Sequence, residues 1–206
     1  MGTGKLIVFE GGEGAGKSTQ IRVVAEALRQ RGYQVIETRE PGGTALGAQL
    51  RHLVMAMTDT PPVPVVELLL YIADRAQHVA EVIRPALASG VVVLSDRFSA
   101  STIAYQGYAR GLDLGLVKQL DALARDGVTP DLTVLLDCPV AIGLQRARGD
   151  DRFHHEEQQF HERVRTAFLQ FAAADGDRYA VVDTTQSREQ VSEQALAGVL
   201  RCLTQS

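Results

Sequence analysis

Five short apolar runs, each separated from the next by helical periodicity, leave this 206-residue chain few folds to adopt. The runs are Leu6 to Glu10, Gln34 to Arg39, Val91 to Ser95, Leu132 to Asp137 and Tyr179 to Asp183. Between them the spacing predicts helices over Ser18 to Arg31, closed by Gly32, and over Thr44 to Ala56. Further helices are predicted over Val65 to about Ser89 with a kink at Pro85, Leu116 to Arg125, Pro139 to about Arg148, a stretch ending at Ala174, and Ser187 to Leu203. Strands alternating with helices, with near-continuous apolar runs as strands, imply a five-stranded parallel sheet with helices on both faces.

Composition narrows the class further. Hydrophobic residues make up 45% and charged residues 22%, a globular balance within one domain spanning residues 1–206. The net charge of −4 gives no global positive field for nucleic acid or an anionic membrane. Cys138 and Cys202 are too few for a disulfide framework. The longest mostly apolar stretch, Val63 to Ala73, is interrupted by Pro64 and Glu67 and is too short to span a bilayer. No signal-peptide pattern opens the chain, so a cytoplasmic location is expected.

The first strand runs into Gly11-Gly12-Glu13-Gly14-Ala15-Gly16-Lys17-Ser18, which matches G-x-x-x-x-G-K-[ST] between a strand and a helix. Glycines let successive backbone N–H groups turn toward one anion, and the helix that follows adds its positive end. Lys17, one of three lysines against eighteen arginines, supplies a compact cation for the β- and γ-phosphates of a nucleoside triphosphate. The Ser18 hydroxyl can ligate Mg²⁺, with Thr19 beside it in the first helical turn. With this loop, the alternation reads as a three-layer P-loop NTPase fold. Neither Asn-Lys-x-Asp nor Asp-x-x-Gly occurs, which argues against a GTPase and leaves a small-molecule kinase in front.

Asp96-Arg97 closes the most strand-like run, where ligands sit in open α/β sheets. Asp96 can hold Mg²⁺ and Arg97 can clamp a second phosphate. Tyr71 and Arg75 lie four apart and share a helix face. Spacing alone leaves open whether they read a base or belong to core packing. Arg146, Arg148 and Arg152 bracket a polar loop, a mobile lid at about 146–155 if they close over phosphate, a solvated surface if they do not. The five histidines, His78 among them, show no metal-ligand spacing.

Taken together, these strings resemble bacterial thymidylate kinase along essentially the whole chain. The resemblance rests on the run from Phe9 to Thr19, Thr38-Arg-Glu-Pro-Gly-Gly-Thr44, Leu69-Leu-Tyr-Ile-Ala-Asp-Arg-Ala-Gln-His78 and the run from Asp96 to Gly107. It implies transfer of the γ-phosphoryl of ATP to dTMP, giving dTDP and ADP in dTTP biosynthesis, with Mg²⁺. It implies Glu13 near the sugar and phosphates, Tyr71 stacked on thymine, and Arg75 on the base edge. Arg97 would grip the dTMP phosphate with Arg39 and Arg51, while Ser101, Thr102 and Gln106 line the base and sugar pocket. Tyr105 would crowd the ribose 2′ side. Because the loop carries Glu13 and no basic residue at that position, catalytic arginine would come from the lid, as Arg148 and Arg152. The resemblance also implies a homodimer and a turn at Glu40-Pro41 where a cis bond can occur. The alternatives are a kinase for another nucleoside monophosphate, or a non-catalytic ATP-binding regulatory module.

Overall fold

A computed structural model describes residues 4–147 and 152–204. Among the described residues, strands β1 (Leu6–Glu10), β2 (Val35–Arg39), β3 (Val92–Asp96), β4 (Leu132–Asp137) and β5 (Tyr179–Asp183) form one parallel sheet in the order β2-β3-β1-β4-β5. This is the five-stranded parallel sheet that the alternation predicts.

Apolar residues on both faces of the strands account for the two helical layers. Ile7, Phe9, Leu94, Val134 and Leu136 pack against α1 (Lys17–Arg29) and α9 (Arg188–Thr204), through Ile21, Val24, Leu28, Val191 and Val199. On the opposite face, Leu6, Val8 and Val93 meet Val79, Ile83 and Phe98. Leu135 meets Phe160, Val164 and Phe168 of α8 (Gln158–Ala174). No single-sided amphipathic sheet would need this pattern; a sheet buried on both faces does.

The remaining helices are α2 (Ala45–Met55), α3 (Pro64–His78), α4 (Arg84–Ala88), α5 (Ser99–Thr102), α6 (Leu114–Arg125) and α7 (Val140–Arg146). The stretch from Pro64 to Ala88 is helical throughout, but it widens into π-helical turns over Val79–Ile83 just before Pro85. The wider turns take up the hydrogen bond that proline's missing N–H would break. One helical segment escapes the sequence reading: α5 continues as π-helical turns over Ile103–Ala109. Among the described residues, α7 ends at Arg146, and Arg148, predicted near its end, lies outside them.

Register brings the two chemical loops together. Phe9 lies opposite Asp96, so β1 and β3 end side by side. The main-chain N–H of Arg97 still donates to Phe9 O at 3.0 Å, which sets the residues after Asp96 against those after Glu10.

Candidate active site

The loop from Gly11 to Ser18 wraps the N-terminus of α1, where unpaired N–H groups gather. Gly14 has φ +66°, and a Cβ there would lie 1.9 Å from Gly143 O on α7, so only glycine fits. Lys17 is buried and donates from Nζ to Gly11 O at 3.0 Å and Gly12 O at 2.9 Å, curling the loop over its own cation. Burial first, then the neighbouring Arg97, push its pKa below the ordinary value. Ser18 Oγ donates to Asp96 Oδ2 at 2.8 Å, which joins the loop to the end of β3.

Arg97 adopts φ +73°, a left-handed conformation uncommon for a side chain of its size. Glu10, fully buried at the end of β1, holds the turn that follows. Its Oε1 accepts from Phe98 N at 2.9 Å and Ser101 N at 3.1 Å, and its Oε2 accepts from Ser101 Oγ at 2.5 Å. So fixed, the Arg97 guanidinium donates to Glu13 Oε1 at 2.7 Å, Ser101 Oγ at 3.0 Å and Tyr105 Oη at 3.2 Å. It also lies over the Tyr105 ring, 5.0 Å from the centroid. Burial pushes the Glu13 carboxyl up, but Arg97 and then Lys17 outweigh it and hold the pKa at about 2. Glu13 is therefore an anion throughout the neutral range and carries no proton to give.

Beside this clamp opens a cleft of about 490 Å³. Its walls take in residues 13–19 of the phosphate loop, Arg39, Arg51, Tyr71, Arg75, Asp96, Arg97, Ser101, Thr102, Tyr105, Gln106 and Arg146. Sequence positions spread over 130 residues thus converge on one volume. Arg39 is exposed on the rim, and Arg51 donates from Nη1 to Pro41 O at 3.1 Å. The Glu40–Pro41 peptide bond is cis, as the resemblance allowed. Tyr71 is half-buried and Arg75 fully buried.

Arg75 and Arg152 are held by acids that sequence reading did not single out. Arg75 bonds Glu40 Oε2 through Nε at 2.8 Å, and Asp121 Oδ1 and Thr102 Oγ1 through Nη1 at 2.7 and 3.0 Å. The Phe98 ring lies beneath it, 5.0 Å from ring centroid to guanidinium carbon. His78, buried, bridges Thr38 Oγ1 at 2.6 Å and Glu40 Oε1 at 2.9 Å, a structural tie. Arg152 is absent from the cleft walls among the described residues; Glu67 Oε2 and Val54 O accept from it, and it stacks on Phe153. Arg146 does line the cleft and donates to Thr184 O at 3.0 Å. The signal for these acids is a carboxylate inside an apolar run, as in Phe9-Glu10 and Val66-Glu67-Leu68.

Asp74 supports the turn that follows Arg39 and whose Pro41 O accepts from Arg51, itself accepting from Gly42 N at 3.0 Å, while its buried Oδ2 has no partner among the described residues. Burial, then Glu40, push its pKa from 3.8 up to about 6, against the pull of His78 and Arg75. A raised carboxyl pKa means stability present below about pH 4 and lost as pH rises through about 6, a swing of about 3 kcal/mol. Asp74→Asn is neutral at every pH and should escape that loss. The difference in Tm, variant minus parent, should climb between pH 4 and 7; a flat difference would show that Asp74 does not titrate there.

The chain is similar to known proteins along most of its length. The sequence profile described as Thymidylate kinase matches residues 9–195. A thymidylate kinase of Trichlorobacter lovleyi is 49% identical over 204 residues, covering 95% of this chain and 96% of that one. One of a Synechococcus strain is 51% identical over 187 residues, covering 91% and 90%. The crystal structure of thymidylate kinase from Ehrlichia chaffeensis superposes with a TM-score of 0.78 at 34% identity, covering 98% of this chain and 99% of that one. A family match over residues 9–195, with relatives about half identical along nearly the whole chain, makes this chain a member of the thymidylate kinase family.

Proposed function

We propose that this protein transfers the γ-phosphoryl group of ATP to dTMP, giving dTDP and ADP on the way to dTTP. The observation that carries the reading is the convergence of two separate anion-binding elements on one cleft. The loop around Lys17 suits a nucleoside triphosphate, and Arg97, braced by Glu10 and Glu13, suits the phosphate of a second nucleotide. Tyr71 and Arg75 on the wall beyond Arg97 suit a flat base.

Catalysis then consists of positioning and charge stabilisation. Backbone N–H groups of residues 11–18 and Lys17 bind the ATP phosphates. Arg97, with Arg39 and Arg51, holds dTMP so that a phosphate oxygen faces the γ-phosphorus. That oxygen is already ionised near neutral pH, so no side chain need remove a proton. Glu13, an anion bonded to Arg97 and Tyr105, orients the guanidinium. Tyr105 crowds the ribose 2′ position and favours a deoxynucleotide, and Ser101 and Thr102 hold the arginines of the pocket.

The residues fit Mg²⁺: Ser18 Oγ and Asp96 Oδ2 sit 2.8 Å apart as hard oxygen donors, and Mg²⁺ in such sites takes few protein ligands besides phosphate oxygens. Bound there with ATP, it would neutralise charge on the β- and γ-phosphates. The segment at about 146–155 acts as a lid on one domain of residues 1–206. Arg146 already faces the cleft, Arg152 must leave Glu67 to reach phosphate, and Arg148 lies outside the described residues.

A homodimer is supported by an apolar stripe on α3, which packs between α2 and α6. Val66, Leu69, Ala73 and Ala76 are exposed at helical three-four spacing, and the two helices packed on α3 carry the exposed Leu53 (α2) and Leu123 (α6). Small residues along such a stripe let two helices approach closely. Two soluble nucleotide substrates, and no helix among the described residues long and apolar enough to cross a membrane, are consistent with a cytoplasmic enzyme.

The test is ADP release from Mg·ATP with dTMP, dUMP, dGMP, dCMP or AMP offered separately. A strong preference for dTMP is expected. A preference for another monophosphate would keep the kinase and remove the base assignment, and ATP binding without release would point to a regulatory module.

A further inference from the structure

Glu67 lies in the first turn of α3 and is fully buried, yet the proposed reaction gives it no part beyond holding Arg152. Its carboxylate is a hub for three donor side chains. Oε1 accepts from Gln106 Nε2 at 2.8 Å and Arg110 Nε at 3.3 Å. Oε2 accepts from Arg110 Nη2 at 3.3 Å and from Arg152 Nη2. Arg110 is also paired with Glu156 at 2.6 Å. A carboxylate facing two guanidinium groups only accepts, so the amide it meets must present N–H.

That requirement has a consequence across the amide. Gln106 is 1% exposed and lines the cleft. An amide offers a donor at one end and an acceptor at the other, and rotation by half a turn exchanges them at little intrinsic cost. With Nε2 committed to Glu67, the end left for a ligand is Oε1, which makes no hydrogen bond among the described residues. Arg75 supplies the opposite sign, because Glu40, Asp121 and Thr102 occupy all but one of its N–H groups and the remaining one is on Nη2. The wall therefore shows one donor and one acceptor in fixed places.

We infer that Glu67 is a positioning residue for base specificity: by holding the Gln106 amide in one orientation, it makes the pocket select pyrimidines that carry a ring N3–H beside a carbonyl and reject those with the inverse pattern. Thymine and uracil have the N3–H and O4 that match Gln106 Oε1 and Arg75 N–H. Cytosine has an acceptor at N3 and an amino group at C4, so both contacts become mismatched. The inference rests on the proposed monophosphate site and says which residue decides its base class.

Glu67→Gln tests it with a change of nearly constant volume. Two guanidinium donors, Arg110 Nη2 and Arg152 Nη2, meet Oε2 against one, Arg110 Nε, at Oε1, so the new amide turns its oxygen to the Oε2 side and its NH2 toward Gln106. Gln106 must then rotate to accept, and it shows NH2 to the base. The expected result is a fall of about tenfold or more in the ratio of kcat/KM for dTMP over dCMP, with KM for ATP unchanged. Arg110→Lys, which disturbs the same hub without touching the Gln106 bond, should keep the parental ratio even if Tm falls. A parental ratio in active Glu67→Gln would overturn the inference, whereas a parent enzyme that ignores dTMP would overturn the proposed function itself. Should Glu67→Gln not fold, the Gln106 side-chain amide can be followed by 15N–1H spectroscopy in the parent protein. Slow exchange and little shift on dTMP binding are expected; a large shift of its N–H pair, placing NH2 on the base, would overturn it.

Discussion

Replacing Arg97 with alanine should lower turnover about a thousandfold while ATP still binds with near-parental affinity. The asymmetry follows from where the guanidinium is anchored. Arg97 reaches the phosphate loop through Glu13 Oε1 at 2.7 Å and Gly11 O at 3.3 Å, but Lys17 and the loop N–H groups do not depend on it for their fold. Its loss removes the cation opposite the loop, which in the proposed reaction neutralises the attacking phosphate and fixes its direction. Arg97→Lys should recover only part of the rate, since an ammonium cannot reach Glu13, Ser101 and Tyr105 from one planar fork. Glu13 loses its main partner but keeps partial access to water, so the fold should survive; its side chain is 23% exposed. Steady-state kinetics with ATP and dTMP varied separately, beside a thermal melt, check this. Turnover within a few-fold of the parent would strip Arg97 of its role.

How much of this could be read in the chain depends on the range of the determining interactions. Strands β4 and β5 coincide with the predicted runs at both ends, because their limits are set by local apolar content and by turn residues beside them. The phosphate loop is legible for the same reason: its glycines, lysine and serine act within eight residues of one another. The segment Ser99–Ala109 was not, since it has no apolar stripe of helical period. Its Ser101, Thr102 and Gln106 turn toward buried acids and the cleft, and Ala104 and Tyr105 supply the packing face. Partners remote in sequence were equally hidden. Arginines bracketing a polar loop say nothing about Glu67, which lies 85 residues before Arg152. Nor does the spacing of Tyr71 and Arg75 decide between core and pocket; in the structure Arg75 does both, buried among acids with one edge on the cleft.

Arg75→Met should cost about 3–5 kcal/mol of folding stability and abolish any strong preference for dTMP. Methionine fills most of the volume above Phe98 but leaves Glu40 and Asp121, 3% exposed each, without the cation between them. His78 Nδ1 still meets Glu40 Oε1 at 2.9 Å, and Arg125 still meets Asp121 Oδ2 at 2.8 Å. Those residual partners set the loss below that of two fully isolated charges. Replacing Glu40 and Asp121 by Gln and Asn in the same chain should return much of the stability, because neutral amides bear burial better than unpaired carboxylates. The base preference should stay lost in that triple variant, since position 75 no longer offers a guanidinium N–H to the base. Recovery of both properties would mean that Arg75 only balances charge; recovery of stability alone separates its service to the core from its service to the base.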